Sequence, residues 1–131
     1  MSLSAHSLEL ATAALMSEII RADNKTQDDE LAAYRHVLSR QFSLTDDELD
    51  ALMSDGQDTA EEAVDLVQFT KVVNDQCHQD EKRTILKGLW QVAYADEEIA
   101  PIEEHTIRRI ADLLYLPHSV FIKTKLEVTG E

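Results

Sequence analysis

Four acidic residues recur at one spacing. Asp23 and Glu30 stand seven positions apart in A-D-N-K-T-Q-D-D-E (22–30). Asp96 and Glu103 repeat that interval in A-D-E-E-I-A-P-I-E (95–103), 73 residues further on. Gathered carboxylates repel: a pair about 4 Å apart costs roughly 4 kcal/mol at an effective dielectric near 20. Burial adds the cost of leaving water, and a bound cation relieves both. An all-oxygen donor set favours hard ions such as Ca²⁺, Mg²⁺ or Mn²⁺ over Zn²⁺. The expected cofactor is therefore a divalent cation held by Asp23, Glu30, Asp96 and Glu103.

A plainer role competes at each position. Asp is a favoured helix N-cap, and Glu in a first turn complements the helix dipole. The EF-hand is a nearby alternative that fails. Counted from Asp96, Glu98 takes position 3, but Ala100, Pro101 and Ile107 take positions 5, 6 and 12, where a calcium loop needs an oxygen ligand, Gly and Glu. The first copy places Asp28 and Tyr34 at positions 6 and 12 and fails equally.

The positioning elements read as helices. Leu8, Leu10, Ala11, Ala14, Leu15, Ile19 and Ile20 recur at helical spacing over about residues 4–22, predicting an amphipathic first helix. Leu31, Tyr34, Val37, Leu38 and Phe42 resume the pattern in a second. Thr45-Asp46-Asp47-Glu48 is a capping box and opens a short third helix carrying Leu49, Leu52 and Met53. Gly56 suits its C-cap and Asp58 the next N-cap. A fourth helix then runs to about residue 74, with Ala63, Val64, Val67, Phe69 and Val72 on or near its buried face. Ile85, Leu86, Leu89, Trp90, Val92 and Ala93 mark the fifth, with Trp90 in the core. Pro101, with its fixed φ, fits the first turn of the sixth. Pro117 opens a short seventh whose last residues fray.

The expected fold is all-α, with about seven helices in one domain over residues 1–131. Repeat 1 spans about 4–54, a linking helix about 58–75, and repeat 2 about 80–127. At the repeat offset Met16 meets Leu89, Ile19 meets Val92, Tyr34 meets Ile107 and Val37 meets Ile110, apolar on apolar. Neither hairpin can bury its apolar stripe alone, so the copies are expected to pack face to face with pseudo-two-fold symmetry. Asp23 and Asp96 continue the inward stripes of the first and fifth helices. Glu30 and Glu103, four residues before Tyr34 and Ile107, extend those of the second and sixth. All four carboxylates should meet at one end of the core.

Composition narrows the function. Twelve Lys and Arg against 26 Asp and Glu leave a net charge of −14, which opposes nucleic acid and anionic membranes and favours cations or basic partners. Neither a membrane-spanning run nor a secretory leader is visible, so a cytoplasmic location is expected. Cys77 is the single cysteine and reads as an ordinary helix-end residue. The five histidines show no H-x-x-x-H pair, and there is neither a Gly-rich phosphate loop nor a G-x-S-x-G elbow. Catalysis is thus the weakest reading, and no enzymatic activity is expected.

The stretch V-A-Y-A-D-E-E-I-A-P-I-E-E-H-T-I-R-R-I-A-D-L-L-Y-L (92–116) resembles the TerB-like tellurite-resistance family. The resemblance lies in an aliphatic helix ending in Ala-Asp, a Glu seven residues after the Asp, and a following helix that closes in a Leu-rich stretch. It extends over about residues 85–126 and more loosely over the first copy. Asn24 and Glu97 depart from it, standing where that family usually has Gly. The resemblance implies an all-helical fold of about seven helices and an acidic metal-binding surface onto which Asp23, Glu30, Asp96 and Glu103 carry over. It also implies a bacterial role in tellurite or other stress. A similar domain in membrane-anchored J-domain co-chaperones implies a protein partner. Two readings stand: a divalent-cation-binding domain that acts through a partner, and a metal-free interaction module whose carboxylates only cap helices.

Overall fold

A computed structural model describes residues 3–22 and 28–130. Seven helices follow in order: α1 (Leu3–Arg21), α2 (Asp28–Gln41), α3 (Asp46–Glu62), α4 (Val67–Gln76), α5 (Gln79–Ala93), α6 (Pro101–Leu113) and α7 (His118–Thr129). No strand occurs among the described residues, and the fold is all-α as the periodicity predicts.

Helix α1 is not the one-faced amphipathic helix that its leucines suggest. From Ala11 to Ile20 every residue except Glu18 is buried, including Thr12 and Ser17. A helix apolar on all sides belongs in the middle of a fold, and α1 packs against α2, α3, α4, α5 and α6. Helix α5, its counterpart in the repeat, packs against α1, α2, α6 and α7. Exchanging α1 with α5, α2 with α6 and α3 with α7 turns the α1–α3 pairing into α5–α7, α1–α6 into α5–α2, and α2–α3 into α6–α7, all of which occur. Helix α4 has no counterpart and packs on α1 and α6.

Trp90 is fully buried, and its ring centroid lies 5.0 Å from that of Phe121 on α7 in a tilted arrangement. Aromatic pairs of this kind add about 0.5–1.5 kcal/mol beyond area burial. The capping box at Thr45 is present, with Glu48 N donating to Thr45 Oγ1 at 3.2 Å and Thr45 N to Glu48 Oε1 at 2.8 Å. Pro101 occupies the first position of α6. Cys77 caps the end of α4.

The third and fourth helices differ from their predicted form. Helix α3 runs through Gly56 to Glu62, because Gly56 is a packing residue and not a cap. The chain breaks later, around residues 63–66, and α4 begins only at Val67. Val64 consequently lies in the connection, 95% exposed, and Val67 is half-exposed. Helix α7 starts after Pro117, which serves as its N-cap, and continues to Thr129 before Gly130 closes it at φ 78°.

Candidate functional site

Two of the four predicted ligands occupy the same position in equivalent helices. Glu30 is the third residue of α2 and Glu103 the third of α6. Both sit in a first turn, where backbone amides lacking an intrahelical acceptor favour negative charge. The Ala100 amide donates to Glu103 Oε1 at 2.9 Å, so Glu103 does cap its helix.

Capping does not account for where these glutamates lie. Two other helices carry a glutamate at the same position. Glu48 accepts the Thr45 amide at 2.8 Å, and Glu81 accepts the His78 amide at 2.9 Å. Both are exposed, and the amide hydrogen bonds hold the Glu48 carboxyl below its ordinary range. Glu30 and Glu103, by contrast, are only 3% and 2% exposed. One helix position thus has two forms: solvated caps on α3 and α5, and buried carboxylates on α2 and α6, the two helices of the repeated segment.

Asp96 lies in the turn between α5 and α6, half-buried, and its Oδ1 accepts the Glu98 amide at 3.1 Å. The turn forces Glu97 into the left-handed region at φ 66°, a conformation that costs a residue with a Cβ about 1–2 kcal/mol. Glu97 is exposed there, as is Glu98. Asp23, the fourth predicted ligand, lies outside the described residues, as does Lys25 beside it. Among the described residues no group of three or more His, Cys, Asp and Glu is arranged to hold a metal ion. Arg35, five residues after Glu30, is turned to Asp46 and Asp50.

One buried cation escapes sequence reasoning. Lys82, 8% exposed, donates from Nζ to the Leu114 carbonyl at 3.1 Å, across the C-terminal end of α6. It satisfies a carbonyl that the helix leaves without an intrahelical donor. Nothing in its neighbours Glu81 and Arg83 marks it out.

No curated protein and no solved structure matches the chain. The sequence does match the protein-family model described as Tellurite resistance protein TerB over residues 9–126. That span takes in all the described side chains on α1 except Leu8, the whole of α2 to α6 and most of α7. It includes both copies of the acidic repeat, and the chain belongs to the TerB family.

Proposed function

We propose that this TerB-family chain binds a divalent cation through Asp23, Glu30, Asp96 and Glu103. In this reading it serves tellurite or other stress response in the bacterial cytoplasm through a protein partner. The observation that carries the metal reading is the burial of Glu30 and Glu103 at a helix position whose other two glutamates are solvated. A carboxylate resists leaving water, and capping, which Glu48 and Glu81 accomplish in the open, supplies no reason for burying it.

The donor chemistry suits a hard ion, since every ligand would offer oxygen. Glu30, Asp96 and Glu103 do not by themselves form a group that could hold a metal ion, and the reading adds Asp23 as the fourth ligand. The ion would tie the α1–α2 turn to the α5–α6 turn and so stabilise the packing of the two halves. We read the chain as a binding protein and not an enzyme, since no nucleophile motif accompanies the carboxylates. The partner reading draws on Val64, Val67 and Tyr115, exposed by 95%, 48% and 75%. A net charge of −14 makes a basic protein the complementary occupant.

Thermal melts in EDTA and in millimolar Ca²⁺, Mg²⁺ or Mn²⁺ test the metal reading. An ion at 100 times its Kd adds about 2.7 kcal/mol to the folded state, a rise in Tm on the order of 10 °C for a chain of this size. The rise should vanish in Asp96→Asn. If no ion moves the midpoint, the carboxylates are caps and the chain is a metal-free interaction module.

A further inference from the structure

We propose that the groove between α2 and α5 is a binding site for a small dianionic oxyanion, such as a phosphate group. The groove has a volume of about 370 Å³. His36 and Arg40 line one wall from successive turns of α2, and Thr84, Lys87 and Gln91 line the other from α5. In a chain with 26 Asp and Glu against 12 Lys and Arg, this groove is lined by Arg40, Lys87 and His36 and by no acidic side chain.

The arrangement is built by the backbone. Gly88 lets the two helices approach, since a Cβ there would lie 2.8 Å from Val37 Cγ1 and 2.8 Å from Gln41 Nε2. Val37 thus forms part of the groove's lining, and Gln41, donating from Nε2 to the Thr84 carbonyl at 3.2 Å, ties the two walls together. The close approach brings the wall residues of both helices to one groove.

The convergence of Arg40, Lys87 and His36 with no carboxylate in the lining distinguishes this groove from an ordinary solvated face. Several basic side chains elsewhere pair with carboxylates, Arg21 with Glu18, Arg35 with Asp46 and Asp50, Lys71 with Asp75, Arg83 with Glu127 and Lys125 with Glu104, while Arg108, Arg109 and Lys123 make no ion pair with a described residue. Arg40 makes no ion pair with a described residue. Its place in the last turn of α2 complements the helix dipole, but that does not explain why Lys87 and His36 face the same space. Lys87 is held loosely, 3.7 Å from Glu127 Oε1. A guanidinium fork, an ammonium and a ring N–H are the donors that bind a phosphate-like group. The uncharged Thr84 and Gln91 can bond the rest of a small phosphate ester. At physiological salt, charges beyond about 8 Å are largely screened, so the chain's overall negative charge does not cancel the local cluster.

The test is calorimetric titration of the full chain, in EDTA and at constant ionic strength, with inorganic phosphate and with ribose 5-phosphate, against sodium chloride. The EDTA keeps the outcome independent of the acidic site. Saturable phosphate binding is expected. Arg40→Gln should weaken it about tenfold, the loss of one charge-assisted bond of about 1.4 kcal/mol. Lys87→Gln should weaken it less. Glu127→Gln, which releases Lys87, should tighten it, a change that damage to the fold would not produce. Arg109→Gln, on exposed α6 surface, should leave it unaltered. Tighter binding of the sugar phosphate identifies a phosphate ester as the ligand, and equal binding identifies the free oxyanion. Heat no different from chloride, or equal loss in Arg40→Gln and Arg109→Gln, overturns the proposal.

Discussion

The Tyr34 hydroxyl fills the space that a side chain at position 56 would need. A Cβ on Gly56 would lie 2.5 Å from Tyr34 Oη and 2.7 Å from Ala13 Cβ. Tyr34 Oη accepts a hydrogen bond from Ser17 Oγ at 3.1 Å and donates one to the Met53 carbonyl at 3.1 Å. One phenol therefore joins α1, α2 and α3, and Gly56 is the residue that allows α3 to close over it.

Gly56→Ala should consequently destabilise the chain, although alanine is the better helix former by about 1 kcal/mol. Ala13 Cβ and its backbone carbon, 3.1 Å from the added methyl, belong to the central helix and cannot swing aside. Overpacking of this kind costs about 1–3 kcal/mol, and the clash should outweigh the propensity gain. Urea unfolding followed by circular dichroism measures the balance. A gain in stability would show that α3 can shift outward without loss.

The same phenol makes alkaline stability titrate. Burial pushes the Tyr34 pKa up to about 12, opposed by the hydrogen bond from Ser17 and reinforced by nearby Asp55. The folded state prefers the neutral phenol, so this contribution is complete below the unfolded pKa near 10 and is lost as pH rises towards 12. Two pH units correspond to about 3 kcal/mol. Unfolding free energies from pH 9 to 12 should fall more steeply in the wild type than in Tyr34→Phe, which lacks the ionisable group. Parallel curves would refute the assignment to Tyr34.

Glu97 offers a stabilising change. Its φ of 66° suits glycine, and its exposed side chain has no packing to lose. Glu97→Gly should raise stability by roughly 0.5–1 kcal/mol, the relieved strain less the extra entropy of a glycine in the unfolded chain. Glu97→Ala, which keeps the Cβ, should gain nothing by comparison. Equal melting points for both variants would mean that the turn holds no strain.

Much of this structure is legible in the sequence because helical spacing and caps are local. Tyr34, Trp90 and Ile107 fall in the core where the apolar period puts them, and Pro101 and Thr45 mark true helix starts. The errors arise where tertiary packing overrides local chemistry. Gly56 looks like a cap until the phenol that faces it is known, and Val64 continues an apolar pattern past the point where the chain leaves the core. Burial of Glu30 and Glu103 follows from their apolar stripes, yet Glu48 and Glu81 share their helix position, and only the fold separates the two kinds. Arg40 and Lys87 lie 47 residues apart with no common motif, so their meeting across α2 and α5 leaves no trace in the chain order.

The distinction between buried and solvated first-turn glutamates can be tested on one helix position. Glu103→Gln keeps a carbonyl oxygen to accept the Ala100 amide now bonded to Oε1, so the cap survives while the charge is removed. If Glu103 serves a cation, the variant should gain less in melting point from added divalent cation, relative to EDTA, than the wild type gains. Glu81→Gln, at the solvated cap of α5, should show the full cation-induced shift. A capping role alone predicts an effect independent of the cation. The Glu103→Gln melt would then fall by the same amount in both buffers, by the 0.3–1 kcal/mol that a negative charge at a helix N-terminus contributes.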